Sequence, residues 1–159
     1  MFDNFITFTD DTEKEQSAGS AWNVLVVDDD RDIHAVTKLC LSHTVIANRI
    51  LNLIDAYSGR DAIDVLKAND NIDLILLDVV METQDAGLEV ARWLHEDVPS
   101  KRKPKIILRT GQPGFHQIAD ITQNRHVDAV LQKSNTSYAI LIDTITKTLL
   151  DSGSDLTRH

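Results

Sequence analysis

Short apolar runs that end in polar residues constrain the fold of this 159-residue chain more than any other feature. Segments 24–27, 74–77 and 106–108 are apolar at every position. A strand with one side in solvent would instead alternate apolar and polar residues. Continuous apolar strands are typical of a parallel sheet that is covered on both faces. The pattern therefore predicts strands buried between two layers of helices.

Helical periodicity separates these runs along the chain. Apolar residues recur at spacings of three and four after each predicted strand, although this pattern is weaker over 115–124. Five strands thus alternate with five helices, and right-handed crossovers between them predict a three-layer α/β sandwich with a five-stranded parallel sheet. The predicted strands are 24–27, 50–54, 74–77, 106–108 and 129–131, and the predicted helices are 33–40, 62–66, 88–94, 115–124 and 138–149.

The charge balance and the hydropathy pattern restrict the possible partners. Sixteen basic and 25 acidic residues give a formal net charge of −9, which disfavours direct binding to nucleic acid. No apolar run reaches the roughly 18–20 residues that a membrane span needs. The N-terminal segment is acidic where a secretory signal would be basic and then apolar. We therefore expect a cytoplasmic protein that does not insert into a membrane.

The apolar pattern occupies residues 21–150, a length that suits one domain. Residues 1–20 are polar, acidic and rich in Ser, Thr and Gly, so they are predicted to form a flexible leader. Phenylalanine recurs every three residues from Phe2 to Phe8, and these side chains could instead dock as a single helical turn. Residues 151–159 are predicted to be a polar tail.

Polar residues of complementary chemistry follow the predicted strands. Asp28 and Asp29 follow the first strand, and Asp78 follows the third. Thr110 closely follows the fourth strand, and Lys133 lies two positions beyond the fifth. Because parallel α/β sheets bind ligands beyond the carboxyl ends of their strands, these five side chains are expected to converge.

The converging groups point to one kind of chemistry. Clustered carboxylates repel one another unless they hold a cation, and an all-oxygen ligand set suits Mg²⁺. A carboxylate beside such an ion is a competent nucleophile toward phosphorus. A lysine can neutralise charge on the moving phosphoryl group, and a threonine hydroxyl can donate to its oxygens. The sequence therefore predicts Mg²⁺-dependent phosphoryl transfer.

Four motifs, in order, resemble those of response-regulator receiver domains from two-component signalling. They are segments 24–29, 76–81 and 107–111, followed by Lys133, and the resemblance extends over residues 22–150. It implies a flavodoxin-like (βα)5 fold for the domain at 21–150. It also implies a signalling switch, not an enzyme, which catalyses its own phosphorylation and eventual dephosphorylation.

The resemblance assigns a role to each residue at a strand end. Asp78 would accept a phosphoryl group from a histidine kinase or a phosphotransfer protein. Thr110 and Lys133 would contact the phosphoryl oxygens. The implied Mg²⁺ ligands are the carboxylates of Asp28, Asp29 and Asp78 and the backbone carbonyl of Val80.

Some positions depart from the usual receiver pattern. Glu82 and Ser134 stand where the family usually has proline, and Val130 replaces a switch aromatic. Segments 82–87 and 109–114 resemble a subset of receivers found at the N-terminus of cyclic-dinucleotide phosphodiesterase regulators. These residues do not identify the output module or the readout surface. They also do not decide whether the domain forms a homodimer.

Two other functional classes fit the pattern less well than a phosphorylated receiver. An interaction module that no longer uses phosphorylation would typically have lost part of the cluster, whereas Asp78, Thr110 and Lys133 are all present. A phosphatase with an aspartyl-phosphate intermediate would carry a second acid two residues after the nucleophile. That position is Val80, which argues against this class.

Overall fold

The computed structural model describes residues 21–98, 103–111, 127–133 and 136–151, which form a sheet with helices on both faces. The predicted leader, the helix at 115–124, Ser134 and the tail beyond residue 151 lie outside these residues. The strands are β1 (Trp22–Val27), β2 (Val45–Ile46), β3 (Arg49–Ala56), β4 (Leu74–Asp78), β5 (Lys105–Thr110) and β6 (Ala129–Gln132). The helices are α1 (Arg31–Leu41), α2 (Gly59–Ala68), α3 (Ala86–Asp97) and α4 (Tyr138–Leu150).

The strands are ordered β2-β3-β1-β4-β5-β6, and all neighbours except β2 and β3 pair in parallel. This arrangement confirms the predicted α/β fold with its five parallel strands. The register aligns Val27 with Leu77 and Asp78 with Arg109. The ends of β1, β4 and β5 therefore stand side by side at the carboxyl edge of the sheet.

A short hairpin adds a sixth strand that the sequence analysis missed. Strand β2 pairs antiparallel with β3 and forms the outer edge of the sheet. Ala47 and Asn48 between them have φ values of 54° and 64°. Positive φ at both central residues is typical of the tight turns that join two-residue hairpins. The side chain of Trp22 supports the hairpin, since its Nε1 donates to the carbonyl of Ile46 at 2.9 Å.

The sheet is buried on both faces, as its continuous apolar strands predicted. Successive residues of each central strand enter opposite apolar clusters. Leu77 packs into the cluster covered by α2 and α3, whereas Leu76 packs into the cluster covered by α1 and α4. Both leucines are fully buried. No helix within the described ranges has the length and apolar character needed to cross a membrane.

Side-chain caps fix where three helices begin. The carboxylate of Asp30 accepts a hydrogen bond from the backbone N–H of Asp32 at the start of α1. Ser58 caps α2 and Ser137 caps α4 in the same way. Such caps satisfy backbone donors that have no partner in the first helical turn. The cap of α1 is important for the site, because it directly follows Asp28 and Asp29.

Candidate functional site

Three carboxylates converge at the carboxyl edge of the sheet. Oxygens of Asp28, Asp29 and Asp78 lie within 4.8 Å of one another. Asp28 is 1% exposed and Asp78 is 4% exposed, while Asp29 is open to solvent. The strand ends therefore bring together the acids that the sequence analysis selected. We call these three residues the acidic cluster.

Lys133 supplies a positive charge to the acidic cluster. Its Nζ lies 2.8 Å from Asp28 Oδ2 and 3.1 Å from Asp78 Oδ2. Its backbone N–H donates to the carbonyl of Thr110 at 2.8 Å, which fixes the end of β6 against β5. Burial works to lower the pKa of Lys133, but hydrogen bonding and attraction by Asp28 and Asp78 raise it. Lys133 is therefore held as a cation between two carboxylates.

The acidic cluster has the ligand chemistry that Mg²⁺ requires. Its donors are all carboxylate oxygens, and three of them are close enough to share one ion. The ammonium of Lys133 lies 2.8 Å from the buried Asp28 Oδ2, but one positive charge does not balance three neighbouring carboxylates. A cation ligated by the cluster would offset the remaining negative charge, so these residues fit the metal.

Burial raises the pKa of Asp78 to about 6, and repulsion by Asp28 acts in the same direction. Lys133 opposes both effects without cancelling them. The metal-free cluster is thus strained by its own negative charge. A bound cation or a neutral side chain at position 78 would relieve this strain.

The raised pKa of Asp78 predicts a pH-dependent loss of stability in the metal-free protein. A carboxyl with a higher pKa in the folded state stabilises the fold in its protonated form. This contribution is complete below about pH 4 and is lost as the pH rises through about 6. In the presence of a chelator, we compare the free energy of unfolding of Asp78→Asn with that of wild type at each pH. The advantage of the variant should be larger at pH 7 than at pH 4 by roughly 1–3 kcal/mol. Urea unfolding of both proteins across this range measures the difference, and a difference independent of pH would contradict it.

The remaining predicted site residues lie around the acidic cluster. Thr110 ends β5 and is buried, next to the strand that carries Asp78. Val80 lies in the loop after β4, two residues beyond Asp78, and is 42% exposed. Val130 is half-buried against the core on the α2 and α3 side of the sheet. An apolar side chain thus packs where many receivers carry their switch aromatic.

Arg109 is a second cation near the site. Its strand position pairs with Asp78, and its Nη1 donates to the hydroxyl of Thr37 on α1 at 3.3 Å. Burial lowers the pKa of Arg109, whereas the charges of Asp28 and Asp78 raise it. Its side chain thus contacts α1, and the acidic cluster contributes to its electrostatic environment.

Gly87 is a structurally essential residue that the sequence analysis did not identify. It lies in the first turn of α3, where its N–H donates to the carbonyl of Val79 at 2.9 Å. A Cβ at this position would lie only 2.0 Å from the carbonyl oxygen of Asp78. Gly87 directly precedes the predicted helix 88–94, so the helical pattern did not mark it as a position of close packing. Gly87 allows α3 to begin directly against the backbone of Asp78.

Glu82 ties the loop after Asp78 to α2. Its Oε1 accepts from the N–H of Gly59 at 2.9 Å and its Oε2 accepts from the N–H of Arg60 at 3.1 Å. Partial burial works to raise the pKa of Glu82, but backbone hydrogen bonds, including those from Gly59 and Arg60, lower it overall. A carboxylate is favoured there because backbone N–H groups at a helix N-terminus point toward it. The glutamate thus makes a contact that a proline at this position could not make.

We expect Glu82→Gln to reduce the free energy of unfolding by about 1 kcal/mol, because the neutral amide loses most of this helix-capping interaction. The matched control is Glu96→Gln, an exposed glutamate on α3, which should change stability by less than about 0.5 kcal/mol. Urea unfolding at pH 7 compares them. Equal effects of the two substitutions would show that the Glu82 contact contributes no stability.

Comparison with protein families gives a match over most of the chain. The family described as the response regulator receiver domain matches residues 24–143. The chain is also 44% identical, over 113 residues, to 3'3'-cGAMP-specific phosphodiesterase 2 of Vibrio cholerae serotype O1. That alignment covers 71% of this chain but 22% of the relative. The chain therefore spans less than a quarter of the relative's length.

Solved structures match the fold. The signal receiver domain of an HD domain-containing protein from Pseudomonas fluorescens Pf-5 superposes with a TM-score of 0.69 at 22% identity, covering 84% of this chain and 98% of that one. A CheY-like response regulator receiver domain protein from Methanospirillum hungatei JF-1 gives a TM-score of 0.68 at 22% identity, covering 86% and 99%.

Proposed function

This chain belongs to the response regulator receiver domain family of two-component systems, and we propose that Asp78 is its phosphoryl acceptor. The donor would be a histidine kinase or a phosphotransfer protein. The observation that carries the proposal is the contact of one ammonium group with two buried carboxylates: Lys133 Nζ lies 2.8 Å from Asp28 and 3.1 Å from Asp78. This contact supports the proposal because it brings a carboxylate and a cation together at one edge of the sheet.

In this proposal, the carboxylate of Asp78 attacks the phosphorus of a phosphohistidine. An oxygen–phosphorus bond forms while the phosphorus–nitrogen bond breaks, and the leaving imidazole nitrogen takes the electron pair and then a proton. Lys133 moves its charge from the carboxylates toward the phosphoryl oxygens, and the hydroxyl of Thr110 donates to one of them.

We propose that the site works with bound Mg²⁺, which supplies further positive charge for the phosphoryl oxygens. The all-carboxylate donor set of the acidic cluster and the closeness of its oxygens support this part of the proposal. The ligands would be the carboxylates of Asp28, Asp29 and Asp78 with the backbone carbonyl of Val80.

We propose that phosphorylated Asp78 switches a receiver domain spanning residues 21–150. The receiver is a signalling module, and the Vibrio relative that contains a similar segment is a phosphodiesterase for 3'3'-cGAMP. The output controlled by this domain would then be a cyclic-dinucleotide phosphodiesterase module in the same polypeptide or in a partner. The cytoplasmic location and the homodimer stay predictions.

Mass spectrometry of the intact protein tests the acceptor. Incubation with Mg²⁺ and acetyl phosphate should add the mass of one phosphoryl group to wild type. The gain should be absent in Asp78→Asn and in the presence of a chelator. Asp73→Asn is the matched control, because Asp73 lies just before the opposite end of β4 and binds the backbone N–H of Asn23.

The same experiment separates the alternative classes. No mass gain in wild type under any condition would support an interaction module that no longer uses phosphorylation. Rapid turnover of many donor molecules per protein would support a phosphatase. A stable gain of one phosphoryl group supports the receiver.

A further inference from the structure

His34 is a buried residue of α1 that the phosphoryl chemistry described above does not use. It is 4% exposed, and its Nε2 lies 2.8 Å from the backbone carbonyl oxygen of Asp28. Its Nδ1 lies 2.7 Å from Asp55 Oδ1 on β3. Both ring nitrogens therefore face oxygen acceptors, and one of these acceptors belongs to the acidic cluster.

The ring of His34 is held from several sides. Asp55 also pairs with Lys38 of α1, with 2.6 Å between its Oδ2 and the lysine Nζ. The ring of Tyr57 packs against the imidazole with centroids 4.4 Å apart. The guanidinium of Arg31 in turn covers Tyr57 at 4.4 Å. These contacts leave the imidazole little freedom, so its Nε2 is directed at a fixed point.

That fixed point is a carbonyl that the sheet itself does not satisfy. The pairing of β1 with β3 ends at Val27 and Ala56, and its pairing with β4 ends at Val27. Asp28 is the next residue, and its N–H still donates to the carbonyl of Ala56 at 3.2 Å. Its own carbonyl lies beyond the ladder, and because a carbonyl oxygen can only accept, we assign a proton to the His34 Nε2 that faces it at 2.8 Å.

The carbonyl of Asp28 belongs to the peptide group that joins Asp28 to Asp29. A donor on this oxygen fixes the plane of the peptide and therefore the directions in which both carboxylates leave the backbone. Groups that orient metal ligands in this way commonly change metal affinity about 10–100-fold when they are removed. His34 is well placed to act on both ligands at once.

We propose that His34 is a positioning residue for the acidic cluster, which sets the affinity for Mg²⁺ by hydrogen bonding to the carbonyl of Asp28. This inference rests on the proposed function, because it assumes that Asp28 and Asp29 ligate the ion. Asp55 is a second positioning residue in this proposal, since its carboxylate orients the imidazole from the opposite side.

Two amide substitutions separate positioning from packing. The amide nitrogen of His34→Gln can occupy the place of Nε2 and donate to Asp28. The amide nitrogen of His34→Asn corresponds to Nδ1, so it reaches Asp55 but not Asp28. Both side chains are polar and of similar size, whereas His34→Leu removes both contacts.

Calorimetric titration of the full chain with Mg²⁺ alone provides the test, with thermal unfolding to confirm that each variant is folded. We expect His34→Asn and His34→Leu to weaken Mg²⁺ binding about 10-fold or more, and His34→Gln to stay within about 3-fold of wild type. Labelling by acetyl phosphate should need more Mg²⁺ in the weakened variants but should reach the wild-type rate when Mg²⁺ is saturating.

The outcomes distinguish this proposal from the one on which it rests. If wild type binds Mg²⁺ and the glutamine and asparagine variants bind it equally well, the positioning role is wrong while the metal site stands. A labelling rate below that of wild type at saturating Mg²⁺ would also contradict the proposal, because a residue that acts through Mg²⁺ affinity should not change that rate. If wild type binds no Mg²⁺, the proposed metal site itself is wrong, and His34 cannot have the proposed role. The glutamine–asparagine comparison decides the matter even if His34→Leu does not fold.

Discussion

Gly87→Ala is expected to lower the free energy of unfolding by about 3 kcal/mol, although it adds a single methyl group. The new Cβ would lie 2.0 Å from the carbonyl oxygen of Asp78 and 2.9 Å from the Cα of Val79. These neighbours are backbone atoms of a buried strand end, so they cannot move aside as a flexible side chain could. Either α3 or the end of β4 must shift.

Helix propensity predicts the opposite sign for Gly87→Ala. Alanine inside a helix is favoured over glycine by up to about 1 kcal/mol. The steric clash should lower the free energy of unfolding, whereas helix propensity should raise it. Urea unfolding therefore distinguishes the two effects by the sign of this change as well as by its size. Gly111→Ala is the matched control, because within the described residues, apart from its chain neighbours, no atom lies within 4 Å of a Cβ at that exposed position. A Gly87→Ala protein as stable as wild type would contradict the close approach of α3 to Asp78.

Lys133→Met is expected to reduce the rate of labelling by acetyl phosphate about 100-fold or more. The ammonium group contacts both Asp28 and Asp78, so its loss removes charge neutralisation from the proposed phosphoryl site. In chelator the variant should also lose roughly 2–3 kcal/mol of stability, because two buried carboxylates lose their positive partner. Protonation of Asp78 at lower pH should recover part of this loss.

Lys105→Met provides the matched control for Lys133→Met. Lys105 begins β5, at the end of the strand opposite to the acidic cluster. Its Nζ lies 3.7 Å from Asp128 Oδ1. Its substitution should leave the rate of labelling within about 3-fold of wild type. Quantitative mass spectrometry over time measures all three rates. Equal rates in wild type and Lys133→Met would show that the ammonium group has no part in the transfer.

The sheet and the acidic cluster followed from the sequence because both depend on local patterns. Continuous apolar runs such as 74–77 showed which strands are buried, and the residue after each run lies by necessity at the carboxyl edge. Asp78 was found in this way, without knowledge of its neighbours. The caps at Asp30 and Ser58, which the structure shows, are also local contacts, because a capping side chain binds a backbone donor two or three residues away.

Contacts between distant segments were not predictable from such patterns. Glu82 binds the N–H of Gly59, which is 23 residues away, and His34 binds Asp55, which is 21 residues away. The pairing of β2 with β3 depends on positive φ at Ala47, a residue that does not signal such a turn. Each contact depends on how two packed elements meet, which periodicity and spacing do not encode.

Locating the phosphoryl group tests the central claim most directly. Protein labelled with acetyl phosphate and Mg²⁺ is reduced with borohydride, which converts an aspartyl phosphate to homoserine, and is then digested and sequenced by mass spectrometry. We predict homoserine at position 78 in the peptide that spans residues 68–92, with Asp70, Asp73 and Asp85 of the same peptide unmodified. Modification of Asp28 or Asp29 in place of Asp78, or no modification of wild type, would contradict the assignment of Asp78 as the acceptor.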